Sequence, residues 1–326
     1  MNRIVSFNKN GHDPFIDFLK SYAIICVLVA HTFPFLNEIG YSLWAGMQVP
    51  IFILIQAFHV LKKDSPHFNF VSVIRRIFLP FAIITLITVA IIYTIQFFVG
   101  GGNVLTINEL CKRGGVGPGS YYPWIFLQIA ILLPVIKPFF EKIPRFLQIL
   151  SMIGVCEILE IFESLIGMPE YLHRLIAIRY LFLIFLGWVW VKDGIVINTK
   201  TLILSIISLL SVIYFEYFSG NSEPWFYNTS WKFHRWPCYY YVSVLLCYIL
   251  FCIFGVLSKF EIINKASCIL AKCSYEIFLV QMALIAIIPN FGIAWMIFIF
   301  CSSITGGYFF HKAYSNICGL RIFVAG

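Results

Sequence analysis

Apolar runs long enough to cross a lipid bilayer recur along this chain, and they limit the folds that it can adopt. A helix of about 20 apolar residues spans the hydrocarbon core. Of the 326 residues, 60% are hydrophobic and only 12% are charged, and the mean hydropathy is +0.89. A soluble globular protein is roughly half apolar and a quarter charged. We therefore predict an all-α polytopic membrane helical bundle of about ten transmembrane helices, forming a single domain over residues 1–326.

Lysine and arginine fall almost entirely on alternate loops of this predicted bundle. Such residues are enriched on the cytoplasmic side of membrane proteins. The opposite loops carry only Lys112, Arg113, Arg174, Lys232 and Arg235. The asymmetry predicts cytoplasmic termini and a location in the cell (inner or plasma) membrane, and it makes the formal net charge of +8 no argument for nucleic-acid binding. The predicted spans are 14–36, 43–61, 73–99, 121–139, 146–166, 174–192, 201–219, 237–257, 268–289 and 291–312.

The first span carries ionisable residues inside an apolar sequence. Asp17 and Lys20 lie near one end and His31 near the other. Eleven residues are close to three helical turns, so Lys20 and His31 are expected on one face, about 16 Å apart along the axis. Ionisable groups within a membrane are costly and usually mark function. The structural alternative is that Lys20 snorkels to the interface, Asp17 neutralises it, and His31 bonds a neighbouring helix.

The His31 imidazole suits catalysis of acyl transfer. In its neutral form it can take a proton from an attacking hydroxyl or carry an acyl group itself, and the residues do not distinguish these roles. A carboxylate normally orients such a base. The candidates are Glu38, Glu157, Glu160 and Glu163, of which the last three share a helical face and either line a cavity or face the outer interface.

A basic patch joins the second and third spans. Arg75 and Arg76 follow Lys62 and Lys63, and Arg76 directly precedes an apolar stretch. A guanidinium there suits bidentate phosphate binding, so a phosphate-rich cytosolic ligand is a plausible partner. For the individual lysines, the cytoplasmic enrichment of basic residues is a sufficient explanation.

Polar and aromatic residues mark the outer side of the predicted bundle. Tyr121, Tyr122 and Gln128 open the fourth span, where such groups either hold helices together or line a water-filled cavity. Trp231 lies in a long outer loop rich in aromatic residues, which either anchor at the interface or stack on sugar rings. The cysteines form no CxxC pair, and we predict no metal site.

Several of these segments together resemble the membrane-bound acyltransferase 3 family of multi-spanning O-acyltransferases. FIDFLKSYAIICVLVAHTFPF resembles its first-helix signature, in which an Asp and a basic residue precede a His eleven positions beyond the basic one; here they are Asp17, Lys20 and His31. VIRRIFLPF resembles the basic start of the third span, with Val73 where a first Arg is usual. The remaining matches are QVPIFILIQAF, GSYYPWIFLQIAILLPVI and CSYEIFLVQ, with Gln56 and Gln281 as departures from the family pattern.

The resemblance covers residues 14–312 and implies a reaction. An acyl group, usually acetyl from acetyl-CoA, would pass to a sugar hydroxyl, with His31 essential and Lys20 and Arg76 (with Arg75 as a neighbouring substitute) placing the donor. Acyl-CoA is then a substrate, and no bound cofactor is expected. Tyr121, Tyr122, Gln128 and Trp231 are expected to meet the saccharide acceptor or the developing oxyanion.

Two other functions remain open at this point. A transporter or flippase for a polysaccharide intermediate would explain the spans and intramembrane charges without acyl chemistry. A non-catalytic membrane component of a polysaccharide synthesis complex would tolerate substitution of His31 and Lys20. The residues name neither the acceptor, which ranges from lipopolysaccharide and capsule to exopolysaccharide, wall polymers and lipid-linked sugars, nor the choice between acetyl and succinyl.

Overall fold

The computed structural model describes residues 13–33, 35, 45–99, 106–194, 199–214, 218 and 241–317. Within these ranges every regular element is helical and no strand occurs, which confirms the all-α prediction. The helices are α1 (Pro14–Thr32), α2 (Gln48–Leu61), α3 (Phe70–Val73), α4 (Leu79–Val99), α5 (Ile107–Arg113), α6 (Tyr122–Lys142), α7 (Arg145–Leu165), α8 (Glu170–Leu175), α9 (Leu181–Asp193), α10 (Thr199–Ile213), α11 (Tyr241–Leu257), α12 (Glu261–Ile287) and α13 (Ile293–Ile317).

Each predicted span overlaps a described helix, but the sixth is interrupted. Its sequence forms α8, then a 3-10 turn at Ala177–Tyr180, and only then α9. The turn contains Arg179, which is 3% exposed and lies over the rings of Tyr121 and Tyr180 at 5.1 and 4.7 Å from their centroids. The predicted continuous helix is therefore interrupted by a turn, and the turn carries a buried guanidinium stacked on two aromatic rings.

Several helices are suited to a membrane. Five segments of the described chain are long and apolar enough to cross one, and α2, α10 and α11 are shorter apolar helices. Large apolar side chains face outward, such as Phe97 on α4 and Ile158 on α7, which are 83% and 66% exposed. The five long apolar segments are Pro14–Thr32, Phe70–Phe98, Tyr122–Lys142, Glu261–Ile287 and Ile293–Ile317. The count of about ten spans, the sidedness of the termini and the single domain over 1–326 stay predictions.

Helix α1 begins at a well-defined cap. The Asp13 carboxylate accepts a hydrogen bond from the backbone N–H of Phe15 at 2.8 Å, and Pro14 occupies the first helical position. Both features are favoured at a helix N-terminus, where backbone N–H groups lack intrahelical partners. The helix ends at Thr32, two residues before Pro34 in the sequence, as expected because the residue before a proline disfavours helical geometry.

The same helix, α1, separates two hydrophobic clusters. One side packs Phe15, Leu19 and Ala23 into a cluster built with α2, α6, α7, α9 and α11. The other side packs Ile24 and Leu28 against α4 and α12. Because both clusters bury residues of α1, this helix lies between them.

Basic residues that charge asymmetry assigns to one side meet at one end of the described bundle. The Lys137 ammonium of α6 donates to the carbonyls of Lys63 and Asp64, just beyond α2. The Arg145 guanidinium, at the start of α7, bonds both carboxylate oxygens of Asp193, at the end of α9, at 2.9 and 3.2 Å. These contacts join α6 to the residues after α2, and α7 to α9.

Candidate functional site

A large cavity runs along α1. Its volume is about 1460 Å³, above the several hundred Å³ of an ordinary ligand pocket. Its walls come from α1, α2, the turn before α4, α4 itself, the end of α5, the loop between α5 and α6, α6, α8 and α12. This volume is sufficient to hold two ligands together.

One face of α1 supplies the centre of the cavity wall. Lys20, Ile24, Val27 and His31 all line it, at spacings of four, three and four residues. These spacings select a single helical face, because residues three and four apart are neighbours on a helix. The predicted alignment of Lys20 with His31 is therefore present, and both side chains border the same open space. The Asp17 carboxylate lies within electrostatic range of the Lys20 ammonium.

His31 lies in the last turn of α1 and is half-buried. No carboxylate of the described residues lines its cavity. The hypothesis that Glu160 or Glu163 orients His31 is therefore not supported by the geometry. Glu163 instead contacts the Nδ1 of His173 at 2.5 Å, in a fully buried pair away from the cavity lining. Glu38 lies outside the described residues.

Glu160, Glu163 and His173 form a second cluster of ionisable groups. One potential ligand atom from each lies within 4.8 Å of the others, a spacing that suits a cation. The close contact between Glu163 and His173 gives each of these side chains a partner within the protein. The cluster holds the end of α7 against α8, and it contributes nothing to the cavity that contains His31.

Basic residues line the cavity near Lys20. His59, in the last turn of α2, and Lys63, just beyond it, are among them, and Arg76 also lines the cavity. His59 lies within electrostatic range of Lys20, Lys62 and Lys63, so the end of α2 lies beside the start of α1. Arg75, by contrast, is not among the lining residues.

Arg75 and Arg76 both lie in a π-helical turn at Ile74–Phe78, and only Arg76 lines the cavity. Pro80 has no N–H to offer the carbonyl of Arg76, four residues earlier, so an ordinary α-helix cannot be fully bonded here. The N–H of Leu79 reaches back five residues to the carbonyl of Ile74. Single π-helical turns occur frequently at functional sites.

Two tyrosine hydroxyls hold the π-helical turn in place. Tyr275 of α12 donates to the carbonyl of Ile77 at 2.8 Å. Tyr314 of α13 donates to the carbonyl of Arg75 at 2.5 Å. The turn that presents Arg76 to the cavity is thus fixed from two other helices.

The predicted acceptor residues near the start of α6 fall into two groups. Tyr121 and Tyr122 line the cavity, whereas Gln128 does not. The Gln128 amide donates to the carbonyl of Leu175 at 2.6 Å and accepts from the N–H of Ala177 at 2.9 Å. Gln128 therefore joins α6 to the segment around α8. Trp231 lies outside the described residues.

Glutamines that depart from the family pattern also have structural partners. Gln281 donates to the carbonyl of Leu28, three residues before His31, at 3.1 Å. Gln56 lines the cavity and donates to the carbonyl of Phe126 at 3.1 Å. Both amides join helices that form the cavity wall.

A glycine-rich loop lines the cavity toward His31, since its Gly117 packs on Met282, next to the Gln281 that bonds the carbonyl of Leu28. Gly114, Gly115, Gly117 and Gly119 all have positive φ, which L side chains rarely adopt. A Cβ on Gly119 would approach the ring of Phe278 to 2.8 Å. The loop is packed tightly against α12 and carries the chain into Tyr121 and Tyr122.

Some lining residues were not among the sequence-predicted site residues. They are His59 near Lys20, and Lys112, Arg113 and Tyr171 near the glycine-rich loop, whereas Lys63 belongs to the basic patch predicted from the sequence. The position of His59, one turn before the paired lysines, was the available signal for that residue. For Lys112 and Arg113 the signal was their location on the side where lysine and arginine are scarce.

Comparison with known proteins identifies the family of the chain. No curated protein and no solved structure matches the chain. A family model described as an acyltransferase domain matches residues 13–312, nearly the whole chain. The match begins one residue before α1 and ends within α13. Taken with the apolar helices, it shows that the chain belongs to the acyltransferase 3 family and is a membrane acyltransferase.

Proposed function

We propose that this protein transfers an acyl group, acetyl in the first instance, from cytosolic acyl-CoA to a hydroxyl of a cell-surface or lipid-linked saccharide. The observation that carries the proposal is the single face of α1 in the cavity, with Lys20 at one end and His31 at the other. A chain of this family needs a base or acyl carrier that both substrates can reach. His31 is the residue we assign to that role.

We assign the donor phosphates to Lys20, Lys63 and Arg76, which all line the cavity. Coenzyme A carries several phosphate charges, and guanidinium and ammonium groups bind phosphate through charge-assisted hydrogen bonds. The absence of carboxylates from the described lining removes a source of repulsion for these phosphates. The thioester arm then extends along α1 toward His31.

The reaction replaces a thioester with an oxygen ester. The acceptor oxygen attacks the thioester carbonyl as His31 takes the hydroxyl proton. The carbon–sulfur bond then breaks, and the proton passes to the CoA thiolate, so the products are the acylated saccharide and free CoA. The chain supports equally a route in which the His31 imidazole first carries the acyl group.

Negative charge develops on the carbonyl oxygen during this step, and a hydrogen-bond donor must lie nearby. Tyr121 and Tyr122 line the cavity and carry hydroxyl groups. Tyr275 also lines it, but its hydroxyl already donates to the carbonyl of Ile77. We assign the donor role to Tyr121 or Tyr122 and the acceptor contacts to the same end of the cavity, with Trp231 as a further contact.

Replacement of His31 by alanine tests the proposal. Purified wild-type protein in nanodiscs, supplied with acetyl-CoA and surface glycans from a strain lacking the gene, should transfer acetyl groups that mass spectrometry detects. General acid–base catalysis contributes about 10²- to 10⁴-fold, so His31→Ala should lose activity by that factor.

The control is His67→Ala, since His67 is exposed and lies outside the cavity lining. It should retain wild-type activity. Wild-type rates in folded His31→Ala would contradict the assignment. Movement of a polysaccharide intermediate across vesicles without acetyl-CoA consumption would favour the transporter alternative.

A further inference from the structure

Two cations at the His31 end of the cavity have no role in the acyl-transfer step described above. Lys112 and Arg113 end α5 and line the cavity. We propose, on the basis of the function proposed above, that they bind a carboxylate or phosphate on the acceptor. The acceptor is then an anionic saccharide, with its charged group close to the hydroxyl that is acylated.

The position of these cations is fixed by the loop that follows them. The Ser120 hydroxyl donates to the carbonyl of Arg113 at 2.7 Å. The ring N–H of Trp124 donates to the carbonyl of Gly114, also at 2.7 Å. A Cβ on Gly117 would overlap the backbone of Met282 in α12. Lys112 and Arg113 therefore lie at a defined place relative to the cavity wall.

The charge balance around Lys112 and Arg113 favours an anionic ligand. The charge asymmetry of the sequence assigns their loop to the side on which lysine and arginine are scarce, so cytoplasmic enrichment does not account for them. No acidic residue of the described chain lines the cavity. Lys112 and Arg113 are both exposed, so a ligand can reach them.

An aromatic ring lies beside the cations. The Lys112 ammonium is 5.8 Å from the centroid of the Tyr171 ring, and Tyr171 also lines the cavity. An aromatic face packs against the C–H groups of a sugar ring, while the neighbouring ammonium meets a charged substituent. A neutral sugar would use the ring alone and leave the cations without a function.

The two charged ends of the cavity serve different ligands in this proposal. Lys20 and Arg76 meet the donor phosphates, and Lys112 and Arg113 meet the acceptor. Lys20 and His31 are about 16 Å apart along α1. In this proposal the donor phosphates extend toward Lys20, the acceptor anion lies at Lys112 and Arg113, and the reactive groups meet at His31.

Binding of matched saccharides tests the proposal without requiring turnover. The probes are a galacturonate tetramer and maltotriose 6-phosphate, each compared with its neutral counterpart, and the measurement is isothermal titration of the full chain in phosphatidylcholine nanodiscs. We expect the anionic probes to bind more tightly than the neutral ones. Their affinity should fall as salt increases, because ions screen exposed charges.

Variants of the two cations locate the binding. The double variant Lys112→Gln and Arg113→Gln should weaken the anionic probes about tenfold or more, as expected for lost charge-assisted hydrogen bonds. The exchange Lys112→Arg with Arg113→Lys keeps both charges and should retain most of the affinity. Lys142→Gln removes an exposed lysine at the end of α6, outside the cavity lining, and should change the affinity less than about twofold.

Three results would overturn the proposal. The first is equal or absent binding of anionic and neutral probes, and the second is unchanged binding by the double variant. The third is thermal stabilisation of the wild type, but not of the double variant, by phosphatidylglycerol in the nanodisc without saccharide binding, which would assign the cations to a lipid headgroup.

Failure of the proposed function would be recognised separately. In that case His31→Ala would keep acetyl transfer at the wild-type rate while the anionic probes still bound through Lys112 and Arg113. If instead transfer depended on His31 and neutral probes bound as well as anionic ones, acyl transfer would stand and the anionic acceptor would be wrong.

Discussion

Arg75 and Arg76 are adjacent in sequence but have different surroundings. Arg76 lines the cavity, whereas Arg75 does not, and the carbonyl of Arg75 accepts the Tyr314 hydroxyl. The sequence alone treats the two as one basic pair. At the scale of single residues, the direction of the helix decides which guanidinium can meet a phosphate.

Substitution of the two arginines should separate their roles. Arg76→Gln should raise the KM for acetyl-CoA about ten- to hundredfold, because a charge-assisted contact contributes about 1.5 to 3 kcal/mol. Arg76→Lys keeps the charge but loses bidentate geometry and should lie in between. The measurement is initial rate against acetyl-CoA concentration.

Arg75→Gln is the matched comparison, with the same chemistry one residue away. Its KM for acetyl-CoA should rise much less than that of Arg76→Gln. Equal effects would mean that the patch acts through general charge rather than through a directed contact.

For some predicted site residues the position follows from helical periodicity, and for others it follows from contacts with residues distant in sequence. Lys20 and His31 were correctly placed on one face because a helix fixes which residues eleven apart align. Gln128 was assigned to the acceptor from its position near the start of a span. Its amide instead bonds the backbone around α8, which is distant in sequence.

At the scale of elements, the π-helical turn before α4 is the feature with the clearest link to the site. Pro80 disturbs the normal hydrogen bonding, and the hydroxyls of Tyr275 and Tyr314 occupy the carbonyls of Ile77 and Arg75. Three helices therefore determine where Arg76 lies. Tyr275 and Tyr314 are positioning residues in this account.

Removal of one hydroxyl should disturb donor binding. Tyr314→Phe loses a bond that contributes about 1 kcal/mol, so thermal stability should fall by a few degrees. A looser turn should also raise the KM for acetyl-CoA, about fivefold, with a smaller change in kcat. The split between KM and kcat distinguishes a positioning role from general destabilisation.

Tyr308→Phe serves as the control on the same helix. Tyr308 is 41% exposed, and its ring contacts Phe309. We expect wild-type kinetics and stability. If Tyr314→Phe lowered stability with no change in the KM for acetyl-CoA, the turn would not position Arg76.

At the scale of the whole molecule, α1 contributes to two hydrophobic clusters and also lines the cavity. The clusters bury Phe15 and Leu19 on one side and Ile24 and Leu28 on the other. Lys20, Ile24, Val27 and His31 of α1 border the open space. Helix α12 is hydrogen-bonded to α1 through Gln281 and also contributes to the cavity wall.

The close approach of α12 and α13 depends on a glycine. A Cβ on Gly307 would overlap the backbone of Ile277, so the helices pack with almost no side chain between them. Gly307→Ala should destabilise the protein by about 1 to 3 kcal/mol, the cost of overpacking a close contact. Thermal unfolding in detergent measures the effect.

Gly255→Ala provides the opposite expectation. Gly255 lies in α11 with no atom within 4 Å of an added Cβ. Alanine should therefore be neutral or stabilising by up to about 1 kcal/mol, because it reduces the backbone freedom of the unfolded chain. Destabilisation by both substitutions would show that the close packing is not the cause.

The amino-acid sequence by itself determined the helical class, the membrane character and the alignment of Lys20 with His31. Local properties carry these features: apolar length, charge distribution and helical periodicity. The tertiary structure decided which residues share the cavity. It placed Arg76, but not Arg75, in the cavity lining, and it brought Lys112 and Arg113 to the same cavity. It also engaged the Gln128 amide in hydrogen bonds to the backbone around α8 and paired Glu163 with His173. Such contacts join residues far apart in sequence, and they depend on how whole helices pack rather than on any local pattern.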